Sequence, residues 1–337
     1  MTGCERVLKV LGDGSADRLA VVPIVHSGLA GLCGVRLGDY FTDAAVMARV
    51  IGDGCRRFGF DGAQLTLGVA AEPEALGAKT EQPADGAPIL RQHLLSDLSA
   101  LDDLRSRDPA TAGRIPLFIE AVERVKRDAG DSLFVLATLR GPLNITAQLR
   151  GIEDALVDML ERPEDIGCVL DFATDVAIRV SKATLSSCAD AVVFGEATCS
   201  PNFISPDLYR RLVWPRHVRL VRELRAMGWR FIGFHVCGNI LPVLEDLIST
   251  GADLLDVDYQ VPAAKALELA AGRVTLRGNL DPSSVFRFGS SDKVRTETQA
   301  LCRAVTGGRW ILGSGCDIPP GTPPENLQAF VEAARST

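Results

Sequence analysis

Short, nearly unbroken apolar runs alternate along this chain with longer stretches in which apolar positions recur every three or four residues. The runs are Ala20–Val25, Gly62–Leu67, Leu133–Leu139, Ala191–Phe194, Phe231–Phe234, Leu254–Val257, Val274–Arg277 and Trp310–Leu312. Runs this short, with little polar interruption, predict strands covered on both faces. The stretches between them predict helices. Asp43–Arg57 starts at Thr42/Asp43. Pro206–Met227 has Ser205 as a plausible N-cap and Pro206 at its first position. Pro323–Ala334 has Thr322 in the same role and Glu325 three residues later, the spacing of a capping box.

Strands alternating with helices in this number predict a (β/α)₈ barrel, a single domain over residues 1–337. The irregular stretch 68–116 carries Ala-Glu-Pro and Gln-Pro-Ala-Asp-Gly turns and is expected as an insertion, a lid over the barrel mouth. The competing fold is an open doubly wound sheet. Against it, no G-x-G-x-x-G follows the first strand.

Composition narrows the function. With 47% hydrophobic and 23% charged residues the chain can bury a substantial core. A net charge of -7 argues against a nucleic-acid surface. No run of Lys or Arg suggests a membrane partner, and no long apolar segment follows the N-terminus, so a cytoplasmic location is expected. Nine cysteines, an odd number, suit a reducing compartment better than a disulfide framework. Cys4, Cys33, Cys55, Cys168, Cys188 and Cys302 show no metal-like spacing.

The strand ends carry the chemistry. Barrel enzymes keep their reactive groups at the C-terminal ends of the strands. His26 follows the first strand, Gln64 lies in the second, Arg140 and Asn144 follow the third, and Glu196 follows the fourth. His235 and Cys237 follow the fifth, Asp256 and Asp258 end the sixth, Asn279 and Asp281 follow the seventh, and Cys316 follows the eighth. Residues i and i+2 of a strand share a face, so His235 and Cys237 can converge. An isolated H-x-C is commonly a core histidine beside a buried cysteine. The matching Gly315-Cys316 at another strand end favours a metal instead. One imidazole and two thiolates suit Zn²⁺, and three protein ligands leave a position open for catalysis. Cys199 lies close enough to the fourth strand end to compete as a ligand.

Around that centre Glu196 and Asp258 are the expected catalytic acids. Either could orient His235 or a substrate group, and Glu196 could be a fourth ligand at the open position. His26, Arg140 and Asn279 are candidates for substrate binding, Arg140 for an anionic group. Gln64 reads as structural, and Asn279 and Asp281 could simply build the turn Gly-Asn-Leu-Asp-Pro. His93 and His217 are expected on helices, away from the chemistry.

Taken together these motifs resemble the uroporphyrinogen decarboxylase superfamily, and within it the zinc-dependent methylcobamide:thiol methyltransferase branch. The residues that carry the resemblance are His235-Val236-Cys237-Gly238-Asn239, Asp256-Val257-Asp258, Gly278-Asn279-Leu280-Asp281-Pro282 and Gly315-Cys316-Asp317-Ile318-Pro319-Pro320-Gly321-Thr322-Pro323. Ile204-Ser205-Pro206 and Asp39-Tyr40-Phe41-Thr42-Asp43 fit as well. The resemblance implies a (β/α)₈ barrel, zinc on His235, Cys237 and Cys316, and methyl transfer between a corrinoid, usually on a partner protein, and a small thiol. The decarboxylase branch grips porphyrinogen carboxylates with an Arg-rich segment near its N-terminus. The matching stretch here, residues 23–31, has no arginine, which disfavours that reaction. Two other readings stay open: a methyl donor other than a corrinoid, such as a methylated folate or an S-methyl compound, and a non-catalytic zinc module that captures a corrinoid protein.

Overall fold

The computed structural model describes residues 1–12 and 16–336. Eight strands form one all-parallel sheet: β1 (Ala20–Val21), β2 (Gly62–Thr66), β3 (Phe134–Arg140), β4 (Ala191–Gly195), β5 (Phe231–His235), β6 (Leu254–Val257), β7 (Thr275–Leu280) and β8 (Trp310–Ser314). Their order is β1-β8-β7-β6-β5-β4-β3-β2, and the two ends meet where Asp61 N–H donates to Val21 O at 2.8 Å. The predicted (β/α)₈ barrel is the fold. The first strand keeps only two ladder residues of the run expected to reach Val25.

Alternation along these strands sorts the side chains into two layers. Outward positions such as Leu65, Ala137, Val192, Phe234, Leu255 and Leu312 pack against the helices. Inward positions near the N-terminal ends, Ala20, Phe134, Phe231, Leu254 and Ile311, form a separate apolar floor. Helix α1 (Gly3–Gly12) closes that floor with Cys4, Val7, Val10 and Leu11. Towards the C-terminal ends the inward positions turn polar: Gln64, Thr66, Thr138, Arg140, His235, Asp256, Arg277 and Asn279 follow by the same parity. The barrel therefore has an apolar end and a reactive end.

Helix α2 (Ala44–Phe58) starts as expected, with the Asp43 carboxylate accepting from Ala45 N and Val46 N. Helix α3 (Pro142–Arg150) follows β3 directly. The expected helix 206–227 begins at Ser205, whose hydroxyl accepts from Leu208 N, but it is not uniform. A π-turn over Tyr209–Val213 precedes α4 (Trp214–Met227). Pro215 has no N–H to give to the carbonyl four residues back, so the regular ladder breaks just before it. The capping box at the last helix does not form. Helix α5 (Pro324–Arg335) has no side-chain cap, and the Thr322 hydroxyl donates instead to Pro319 O at 2.8 Å.

Between β2 and the helix Ile115–Ala129, the stretch 68–116 holds a short helix (Ala71–Ala75), a small hairpin (Thr80–Glu81 with Ile89–Leu90) and another short helix (Leu101–Arg105). No described helix is long and apolar enough to cross a membrane.

Candidate metal and substrate site

His235 ends β5 with its side chain turned inward, and Cys237 follows in the loop beyond it. Gly238 then turns the chain with φ +81°. A Cβ there would meet Ser200 Oγ and Asn202 Nδ2 at under 3 Å, so glycine suits both the conformation and the close approach of the β4 loop. Cys316 enters from the end of β8. The three donor atoms meet: His235 Nε2 lies 3.3 Å from Cys237 Sγ and 3.6 Å from Cys316 Sγ, and the two sulfurs are 3.8 Å apart. A tetrahedral ion with Zn–S near 2.3 Å and Zn–N near 2.0–2.1 Å would separate two sulfurs by about 3.8 Å, and nitrogen from sulfur by about 3.6 Å. The triangle fits a zinc-sized soft cation, with its nitrogen–sulfur edge to Cys237 slightly short. A second cluster of ligating types, Glu196, Cys199 and His217, is fully buried and separate from the first.

Asp256 orients the histidine. His235 Nδ1 donates to Asp256 Oδ2 at 3.1 Å, which leaves Nε2 for the cluster. The same carboxylate receives Arg277 through Nε and Nη2, each at 2.7 Å. Burial pushes the Asp256 carboxyl up. The Arg277 charge and the bonds from His235 and Arg277 outweigh this and bring it down to about 2. Asp256 is thus a permanent anion behind the imidazole. The sequence reading offers the orienting role to Glu196 or Asp258 and does not include Arg277. Parity puts Asp256 and Asp258 on one face but does not say which lies level with His235. The ladder does, since His235 pairs with Asp256.

The titration of the three donors is shared. Burial alone would lower the His235 imidazole, but its hydrogen bonds to Asp256 and Cys316 raise it to about 10. The bond from Cys237 holds Cys316 well below the ordinary thiol range against its burial. That bond, followed by burial, pushes Cys237 up. The protein's own groups favour one thiolate, one thiol and one imidazolium. A dication held here would displace one proton from the thiol pair and one from His235.

The other predicted residues divide. His26, buried in the loop beyond β1, lies 3.2 Å through Nδ1 from Asp317 Oδ1, beside Cys316, and its Nε2 has no hydrogen-bond partner. Arg140 ends β3 facing inward, with Nη2 donating to Thr66 Oγ1 at 2.6 Å. Gln64 donates to Thr138 Oγ1 at 2.7 Å. Asp258 is buried and accepts from Gln260 N at 3.0 Å.

One expectation is corrected. Glu196 does not face the mouth, because Gly195 takes the inward position and turns Glu196 outward. Its carboxylate accepts from Leu143 N at 3.0 Å and Asn144 N at 2.7 Å, capping α3, and from His217 Nε2 at 2.9 Å. Asn279 gives its amide to the loop after β6, donating to Asp258 O at 3.2 Å and Val261 O at 2.7 Å. Asp281 caps the following turn through Ser283 N and Ser284 N, the turn-building role considered for it.

His217 does lie on a helix but belongs to a buried chain: Tyr209 Oη donates to its Nδ1 at 3.0 Å, and its Nε2 donates to Glu196. Cys199 bonds to Glu196 as well, and burial pushes its thiol well up, so it sits in this chain and not with Cys237 and Cys316. His93 lies in a loop, not a helix, 2.7 Å from Gln148 O.

A family model described as uroporphyrinogen decarboxylase (URO-D) matches residues 2–337. A methylcobamide:CoM methyltransferase of Methanosarcina mazei is 27% identical over 340 residues, covering 98% of this chain and 97% of its own length. One from Methanosarcina barkeri is 25% identical over 339 residues, covering 97% and 96%. Among solved structures, a methyltransferase from Methanosarcina mazei superposes with TM-score 0.91 at 23% identity, covering 100% of this chain and 99% of its own.

Proposed function

Since this chain belongs to the uroporphyrinogen decarboxylase family, we propose that it is the methyltransferase kind of member, moving a methyl group between a corrinoid and a small thiol with zinc held by His235, Cys237 and Cys316. The observation that carries this reading is the donor triangle at the barrel mouth, whose 3.3, 3.6 and 3.8 Å edges suit a tetrahedral ion. Relatives named for methylcobamide:CoM methyl transfer, matching nearly end to end, support it. When bound, zinc supplies an open position at which a thiol is held as its thiolate at neutral pH.

The chain's own residues do the rest. Asp256 fixes the His235 tautomer, and Arg277 keeps Asp256 ionised. Gly238 lets the ligand loop lie against Ser200 and Asn202. The methyl group passes to sulfur as a cation equivalent, and the carbon–cobalt electron pair stays on the corrinoid. The mouth faces outward for a corrinoid, free or on a carrier protein, with the 68–116 segment as one wall. Nine free thiols support placing this chemistry in a reducing cytoplasm.

The test is purified protein loaded with zinc, mixed with methylcobalamin and a panel of thiols. Demethylation should appear in the cobalamin spectrum only when a thiol is present. Cys237→Ser and Cys316→Ser should each lose most bound zinc and this activity, whereas Cys199→Ser should keep both. An unchanged spectrum with every thiol would sink the corrinoid reading.

A further inference from the structure

The barrel mouth has a second polar sector, on β2 and β3, across from the arc between β5 and β8 that brings in the zinc ligands. Arg140 is its centre. The guanidinium lies over Gly195 of the neighbouring β4, where any side chain would strike it. It bonds only Thr66 Oγ1, and its Nε is buried without a partner. Beside it is Glu72, from the 68–116 segment and only 2% exposed. One Glu72 oxygen accepts the backbone N–H of Arg140 at 2.8 Å, and the other, buried too, has no partner. Gln64 Oε1 is also buried and unpartnered.

These two charges are neighbours that do not close on each other. Glu72 is bonded to the backbone of Arg140, not to its guanidinium. The two charges attract at a distance, but Arg140 Nε and the second Glu72 oxygen are buried without a hydrogen bond, so each has a place open for a ligand atom of opposite charge. A carboxylate on the Arg140 side and an ammonium on the Glu72 side satisfy both. A tail with only an anion would pair with Arg140 but meet Glu72 as a like charge. A tail with only a cation would do the reverse. Burial pushes the Glu72 carboxyl up, and the Arg140 and Arg114 charges oppose it.

We propose that the thiol taken at this mouth is an α-amino-acid thiol, its carboxylate held by Arg140 and its ammonium by Glu72. This rests on the methyl-transfer reading and names the substrate class for the same site.

Calorimetric binding to the zinc-loaded protein tests it with four probes: L-homocysteine, its deaminated analogue 4-mercaptobutyrate, 2-aminoethanethiol and 2-mercaptoethanesulfonate. Homocysteine should bind about 10–100-fold more tightly than each of the others, the range expected for one lost charged hydrogen bond. Glu72→Gln should remove most of the preference for homocysteine over 4-mercaptobutyrate. Arg140→Gln should remove most of its preference over 2-aminoethanethiol. Equal or tighter binding of 4-mercaptobutyrate or 2-mercaptoethanesulfonate overturns the assignment, as does no thiol binding at all. If a variant does not fold, the wild-type series decides alone. Demethylation of methylcobalamin is scored separately. Selective homocysteine binding without demethylation sinks the methyl-transfer reading and keeps the substrate class. Demethylation driven best by 2-mercaptoethanesulfonate does the opposite.

Discussion

At the scale of single residues, the site is decided by which groups hold protons. Cys316 sits well below the ordinary thiol range through its bond from Cys237, while His235 is held at about 10. On the proposed assignment, binding zinc would displace two protons, one from the imidazole and one from the thiol pair. Calorimetry in buffers of different ionisation enthalpy should count about two protons released per zinc, and apparent affinity should rise as pH rises from 6 to 8. A pH-independent affinity would show that the donors are already deprotonated. Asp256 and Asp258 should also separate cleanly. Asp256→Asn leaves His235 without its anion and strands Arg277, so zinc affinity should fall about 10–100-fold. Asp258→Ala should change it far less, and the reverse order would return the orienting role to Asp258. The meeting of the three donors was legible because H-x-C and G-C both follow apolar runs. Arg277 was not, since an arginine inside an apolar strand carries no local sign of its partner.

At the scale of elements, the strands were readable because a covered strand is a short apolar run, and eight of them constrain the fold strongly. What the pattern could not give was the inward or outward sense at a strand end. Glu196 follows its strand in sequence just as His235 ends its own, yet Gly195 takes the inward place and Glu196 turns to the helices. The π-turn over Tyr209–Val213 was equally hidden, because one widened turn barely disturbs a helical period. That turn belongs to the segment presenting Tyr209 and His217 to Glu196, and Glu196 in turn caps α3. Glu196→Ala should therefore act on stability. Losing the cap costs about 1 kcal/mol, and leaving His217 buried without its acceptor adds about 1–3 kcal/mol. Urea unfolding should show a combined loss of about 2–4 kcal/mol, with zinc content unchanged in the folded protein. Loss of zinc at full stability would mean that this carboxylate serves the metal after all.

At the scale of the whole molecule, the two ends of the barrel have separate tasks. Leu11 of α1 packs into the apolar floor, and the donor triangle sits at the opposite end. Leu11→Ala should cost about 2–5 kcal/mol, as for other large-to-small core changes. Metal analysis should still find the wild-type zinc content at temperatures where the variant is folded. A matching loss of zinc would show that the floor and the mouth are mechanically linked. The 68–116 segment was the hardest part to read from sequence, because short turns and a small hairpin leave no long periodic signal. Its bond from Arg140 N to Glu72 joins residues 68 positions apart in the chain.

The donor triangle also orders events in time. Cys237 and Cys316 are 79 positions apart and come from strands that are not neighbours. A growing polypeptide has two of the three donors long before it has the third, and β6, β7 and β8 must all take their places before the third arrives. On the proposed assignment, metal uptake would come late in assembly, and a zinc-loaded chain would be one whose barrel has already closed.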